Sequence, residues 1–111
     1  MKQKKVPAKI RNLLKELKEG LVRMYGDRLK GLYLYGSYAR GDYRQGSDVD
    51  VMILLGDFEN YWDELERSTE LASDLSLKYE VTLSRLIIKQ IQWQGSDMPV
   101  LKNIRKDGVP A

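Results

Sequence analysis

The run Val51-Met52-Ile53-Leu54-Leu55 limits what this chain can fold into more than any other feature. It is too short for a helix, is entered through Asp48-Val49-Asp50, and is closed by Gly56-Asp57. An apolar run of this length without alternation reads as a strand buried on both faces. Such a strand belongs inside a sheet covered by helices.

The neighbouring periodicities supply those helices. Ile10, Leu13, Leu14, Leu17, Leu21 and Met24 recur at helical spacing, with Pro7 suited to the first turn and Gly26 to the stop. Lys2, Lys4 and Lys5 precede that helix, where chain ends fray. Gly31 to Tyr35 reads as a strand ended by Gly36, and residues 41–47 read as a loop. A helix is expected from Asn60 to Leu77, burying Tyr61 or Trp62, Leu65, Thr69, Ala72 and Leu75 or Ser76. Its outer face would carry Asp63, Glu64, Glu66, Arg67 and Glu70. A third strand is expected over Glu80–Ile88, with Glu80, Thr82 and Ser84 on one face. Lys89 to Ser96 reads as irregular, with Trp93 either an exposed docking edge or a capping residue for the core, the docking edge slightly favoured. A last helix follows, capped by Ser96 or Asp97, started at Pro99 and closed by Gly108, with Val100, Leu101 and Ile104 inward. The order predicts an α+β fold in one domain spanning residues 1–111: a small mixed β-sheet packed with helices.

Composition narrows the chemistry. The 111 residues include no Cys and no His. Disulfides, thiolate nucleophiles, Cys-based metal centres and His-dependent triads are therefore excluded. Catalysis has to rest on carboxylates, hydroxyls, Lys or Arg, with a hard metal as the natural helper. No stretch resembles a membrane span or a signal core, so a cytoplasmic protein is expected. The net charge of +3 averages unlike parts: residues 1–30 carry +7 and residues 48–80 carry −8. A general nucleic-acid binder would show one broad positive face instead, so nucleic acid is not an expected partner.

Residues 36–50 carry the chemistry. Gly36-Ser37 follows a strand directly, where glycine lets the backbone approach a ligand and free amides meet anions. Ser37 adds a hydroxyl, and Arg40, one turn on, adds a guanidinium suited to phosphate. Asp48 and Asp50 lie two apart at a strand start, so their carboxylates leave one face. Paired carboxylates beside a phosphate cradle suit a hard divalent cation such as Mg2+. Other designs fail on these residues. A P-loop would need Lys-Ser/Thr where Asp42-Tyr43 stands. An EF-hand beginning at Asp48 would need an oxygen ligand at Met52 and glycine at Ile53. A dinucleotide fingerprint lacks its middle glycine between Gly36 and Gly41.

Gly36-Ser37-x-Ala39-Arg40-Gly41, followed after five residues by Ser47-Asp48-x-Asp50, resembles the signature of nucleotidyltransferases of the DNA polymerase β superfamily. The small size resembles the minimal nucleotidyltransferases, or MNT proteins. The resemblance implies a polymerase β-like nucleotidyltransferase fold. It further implies that Gly36, Ser37, Arg40 and Ser47 bind a nucleoside triphosphate, with ATP expected. Asp48 and Asp50 would hold Mg2+ as catalytic metal ligands. Active relatives use a third carboxylate on a later strand, at the place of Thr82. Glu80 shares that face about 7 Å away, so either Glu80 takes the role or the place is empty.

Small relatives of this type are commonly paired with a helical HEPN ribonuclease toxin, which the MNT antitoxin adenylylates on tyrosine. The resemblance thus implies AMP transfer from ATP to a hydroxyl on a HEPN-type partner. The short length fits either a protein substrate or a cleft completed by another subunit of a homo- or hetero-oligomer. The alternative is an inactive nucleotidyltransferase-like module that neutralises its partner by binding alone. Tyr43 and Arg44 are further candidates for partner or substrate contacts. Small-molecule nucleotidylation would call for a second substrate domain, and a polymerase role for a template-gripping one.

Overall fold

A computed structural model describes residues 6–111; Lys2, Lys4 and Lys5 lie outside the described residues. The chain runs α1 (Ala8–Tyr25), a 3-10 turn (Gly26–Arg28), β1 (Leu29–Tyr35), α2 (Ser37–Arg40) and β2 (Val49–Leu55). It continues through α3 (Tyr61–Arg67), α4 (Thr69–Tyr79), β3 (Leu83–Lys89), α5 (Gln90–Gly95), α6 (Pro99–Asp107) and β4 (Val109–Pro110). The four strands form one mixed sheet in the order β3-β2-β1-β4. β2 runs antiparallel to β1 and parallel to β3, and β4 adds antiparallel to β1.

The apolar run sits inside this sheet, as its composition requires. Every β2 residue except Asp50 is buried. Alternation sends Val49, Val51, Ile53 and Leu55 to a core shared with α1 and α4. It sends Met52 and Leu54 to a smaller core with Leu101 and Ile104 of α6. Asp50 lies on that second face, paired with Tyr35 of β1 and level with Ser84 of β3.

The expected single helix over residues 60–77 is two helices. Asn60 caps the first, its side-chain oxygen accepting from the Trp62 and Asp63 amides at 2.9 and 3.3 Å. Ser68 then interrupts the ladder. Arg85 of β3 donates to the Leu65 carbonyl at 2.7 Å and to the Ser68 hydroxyl at 2.6 Å. A guanidinium from the sheet thus takes a carbonyl that a continuous helix would use, and Ser68 replaces Thr69 on the buried stripe.

Glu64 also departs from expectation. It is 5% exposed, not on the outer face. Its carboxylate accepts from the Tyr25 hydroxyl at 3.1 Å and pairs with Arg28 at 3.4 Å and Arg67 at 3.3 Å. Three donors make its burial tolerable. The network ties α3 to the end of α1.

The segment expected to be irregular is α5, its first turn held by the Gln92 side chain accepting from the Lys89 amide at 3.0 Å. Trp93 is half-buried, which fits the core-capping alternative and not the docking edge. Its ring lies 5.3 Å from Tyr33 and under the Arg105 guanidinium at 4.8 Å, so it closes the second core.

Candidate nucleotide site

At the end of β1, Gly36 turns the chain at φ 76°. Glycine is required there twice over. The left-handed backbone disfavours other residues, and a Cβ would lie 2.3 Å from Oδ2 of Asp50. Close approach of the turn to that carboxylate is therefore built in.

The short helix α2 follows, with the Ala39 and Arg40 amides both donating to the Gly36 carbonyl at 3.1 Å. First-turn amides, here Ser37 and Tyr38, have no acceptor within such a helix. Gly41, in the left-handed region, ends it. Tyr38 and Tyr43 stack at 4.5 Å between centroids and fold the following loop back onto α2. Ser47 closes that loop, its hydroxyl accepting from the Arg44 amide at 2.8 Å.

These elements bring Gly36, Ser37, Arg40, Ser47, Asp48 and Asp50 to one groove of about 590 Å³. Residues separated by fourteen positions in sequence thus share one wall. Arg40 is exposed and pairs with Asp42 at 3.3 Å. Burial, and then the charge of Asp48, hold the Asp50 carboxyl above the ordinary Asp range, while Arg40 opposes the rise. Burial, and then Asp50 and Tyr61, push the Tyr35 phenol up as well. Two neighbouring carboxylates with one guanidinium form a polar, cation-seeking floor. The donors are hard oxygens, which fits Mg2+. That ion takes one or two carboxylates and completes its shell with water and substrate phosphate.

Glu80 does not join the pair. The Val81 amide donates to the Ser76 carbonyl at 3.1 Å and the Glu80 amide to the Leu77 carbonyl at 3.4 Å. That is a Schellman closure of α4, with Glu80 at the left-handed position, φ 55°. The expected strand therefore starts at Leu83, and the alternation argument for Glu80 fails. Glu80 lines an adjoining groove with Lys9, Tyr38, Ser76 and Thr82. Among the described residues no three acidic side chains stand close enough to hold a metal together.

Four further residues line the aspartate groove: Tyr35, and Val100, Asn103 and Asp107 from α6. Spacings of three and four along α6 were the available signal for the last three, on the stripe beside its buried Leu101 and Ile104.

The nucleotidyltransferase domain profile matches residues 14–110. The chain belongs to this family. A Methanocaldococcus jannaschii relative, assigned as a protein adenylyltransferase, is 40% identical to this nucleotidyltransferase over 78 residues, 70% of this chain and 78% of its own. A second from the same organism, with the same assignment, is 35% identical over 86 residues, 72% of this chain and 80% of its own.

Solved structures share the fold. A minimal nucleotidyltransferase superposes with TM-score 0.60 at 19% identity, covering 92% of each chain. A toxin–antitoxin structure with AMP-PNP gives TM-score 0.60 at 21% identity, covering 85% of this chain and 68% of that one. A complex of tri-AMPylated Shewanella oneidensis HEPN toxin with MNT antitoxin gives 0.56 at 19%, covering 92% of this chain and 70% of that one. The mixed α+β sheet of this nucleotidyltransferase matches theirs. None of its described helices is long and apolar enough to cross a membrane.

Proposed function

We propose that this nucleotidyltransferase moves AMP from ATP to a hydroxyl of a protein partner, in the cytoplasm, and serves as the antitoxin to a HEPN-type toxin. The observation that carries this reading is the meeting of the Gly36-Ser37 turn, Arg40 and the Asp48–Asp50 pair on one groove. The adenylyltransferase assignments of the curated relatives support AMP as the transferred group. The AMPylated HEPN complex among the structural neighbours supports the partner class.

In this reading the Ser37 hydroxyl and first-turn amides of α2 hold the β- and γ-phosphates, and Arg40 adds charge complementarity. Ser47 keeps its loop closed while its hydroxyl proton remains available to the same groove. Asp48 and Asp50 would hold Mg2+, which when bound supplies charge neutralisation at the α-phosphoryl group and the departing pyrophosphate. The acceptor hydroxyl gives up its proton to water as its oxygen bonds to the α-phosphorus, and the α–β anhydride bond breaks with pyrophosphate leaving. Exposed Glu59, Asp63, Glu66 and Glu70 on and beside α3 and α4 offer an acidic face that speeds association with a basic partner.

One observation favours a second reading, in which the protein neutralises its partner by contact alone: no third carboxylate joins Asp48 and Asp50 among the described residues. Incubation of the protein with α-labelled ATP, Mg2+ and a HEPN-type partner separates the two. Transfer predicts label on the partner that is lost with Asp48→Ala; unlabelled partner held in a tight complex would leave only the binding module.

A further inference from the structure

We propose that α6 is the nucleoside-binding wall of the groove, with Asp107 accepting hydrogen bonds from the ribose diol and Asn103 reading the base edge. This rests on the reading of the groove as a nucleoside triphosphate site.

The helix divides its side chains into three stripes. Leu101 and Ile104 are buried in the second core. Lys102, Arg105 and Lys106 are exposed, and none of them lines the groove. Arg105 turns instead to α5, donating to the Ser96 carbonyl at 3.1 Å and covering Trp93. The groove receives Val100, Asn103 and Asp107. All three cations of the helix are thus withheld, and an amide and a carboxylate are presented. A wall meant for phosphate would do the opposite, because a carboxylate repels it.

Helix stability does not explain the choice either. Asp107 is the last residue of α6, where the macrodipole disfavours an anion. The cations in that same last turn are the ones placed on the outer side.

The part of a nucleoside triphosphate that suits this wall is the uncharged part. A ribose diol offers two O–H donors, which a carboxylate accepts; an acidic side chain plays that role toward ribose in dinucleotide folds. A primary amide can both donate to and accept from a base edge. Val100 gives the ring or sugar an apolar contact. A groove of about 590 Å³ falls in the range that takes a ligand of nucleotide size.

The test measures binding to the full chain in Mg2+ with two probes, ATP and inorganic tripolyphosphate. Asp107→Ala is expected to weaken ATP about tenfold, the scale of a hydrogen-bond pair to a charged acceptor. Tripolyphosphate binding is not weakened, because loss of a carboxylate only lowers repulsion, and this also reports an intact groove. The 2′,3′-dideoxy analogue of ATP should bind the native protein about tenfold more weakly than ATP, and bind Asp107→Ala equally to ATP. Asn103→Ala should narrow the spread among the four nucleoside triphosphates while keeping the ribose dependence. The assignment is overturned if Asp107→Ala binds ATP like the native protein, or if both probes weaken together. Native protein that binds tripolyphosphate as well as ATP would sink the α6 wall and leave the phosphate site standing. Native protein that binds neither probe would sink both.

Discussion

At the scale of single residues, Gly36 does the work that no other residue type can do. Its positive φ and its approach to Asp50 leave no space for a side chain. Gly36→Ala is expected to cost about 1–3 kcal/mol of stability from backbone strain and the displaced carboxylate. It should also abolish Mg2+-ATP binding; denaturant unfolding and calorimetric titration check the two parts separately. The motif was legible here because its requirements are local: a turn, a hydroxyl one residue on, and two carboxylates two residues apart, Asp48 just ahead of β2 and Asp50 within it. The strand expected from Glu80 begins at Leu83 for an equally physical reason. A left-handed helix closure usually takes glycine, and its occupation by glutamate hides the end of α4 from composition.

Among the elements, α3 and its tie to α1 depend on contacts distant in sequence. The Tyr25 phenol is pushed up to about 12 by burial first and by its bond to Glu64 second. A phenol whose folded pKa lies above its unfolded value stabilises fully below pH ~10, and that contribution is lost as pH rises toward 12. Unfolding midpoints should therefore fall between pH 10 and 12 more steeply in the native protein than in Tyr25→Phe. Parallel slopes would show that Tyr25 is not the group responsible. Helical periodicity correctly placed Leu65, Ala72 and Leu75 inward. It put Glu64 outward, since a charge is assigned to solvent by default, and neither Tyr25 nor Arg28 is visible from its own segment. The break at Ser68 has the same origin: Arg85, seventeen residues later, takes the carbonyl.

Across the whole molecule, the acidic middle of the sequence divides by location. Asp48 and Asp50 face the groove, Glu64 is buried behind the sheet, and Glu59, Asp63, Glu66, Glu70 and Asp74 remain exposed. The groove sets two like charges side by side, with Arg40 opposing the repulsion at Asp50 only in part, so function and stability are opposed at this point. Asp48→Asn is expected to raise the Tm of the ligand-free protein by a few degrees through relief of repulsion at Asp50. The same change should remove the Tm increase that Mg2+-ATP gives the native protein by mass action. A thermal scan with and without Mg2+-ATP reads both effects, and a preserved nucleotide shift would count against the metal assignment.

The α+β class, the first helix, the buried central strand and the clustering of Gly36, Ser37, Arg40, Ser47, Asp48 and Asp50 were determined by the sequence alone. Each follows from interactions within a few residues: side-chain alternation, helical period, turn chemistry, and an absence of Cys and His that leaves oxygen donors. Tertiary structure alone decided that α6 supplies Asn103 and Asp107 to the groove, that Glu80 stands outside it, and that Glu64 is buried among donors. Those outcomes depend on how helices settle on the two faces of the sheet. Packing brings together groups more than fifty residues apart, and no local pattern records which of them will meet.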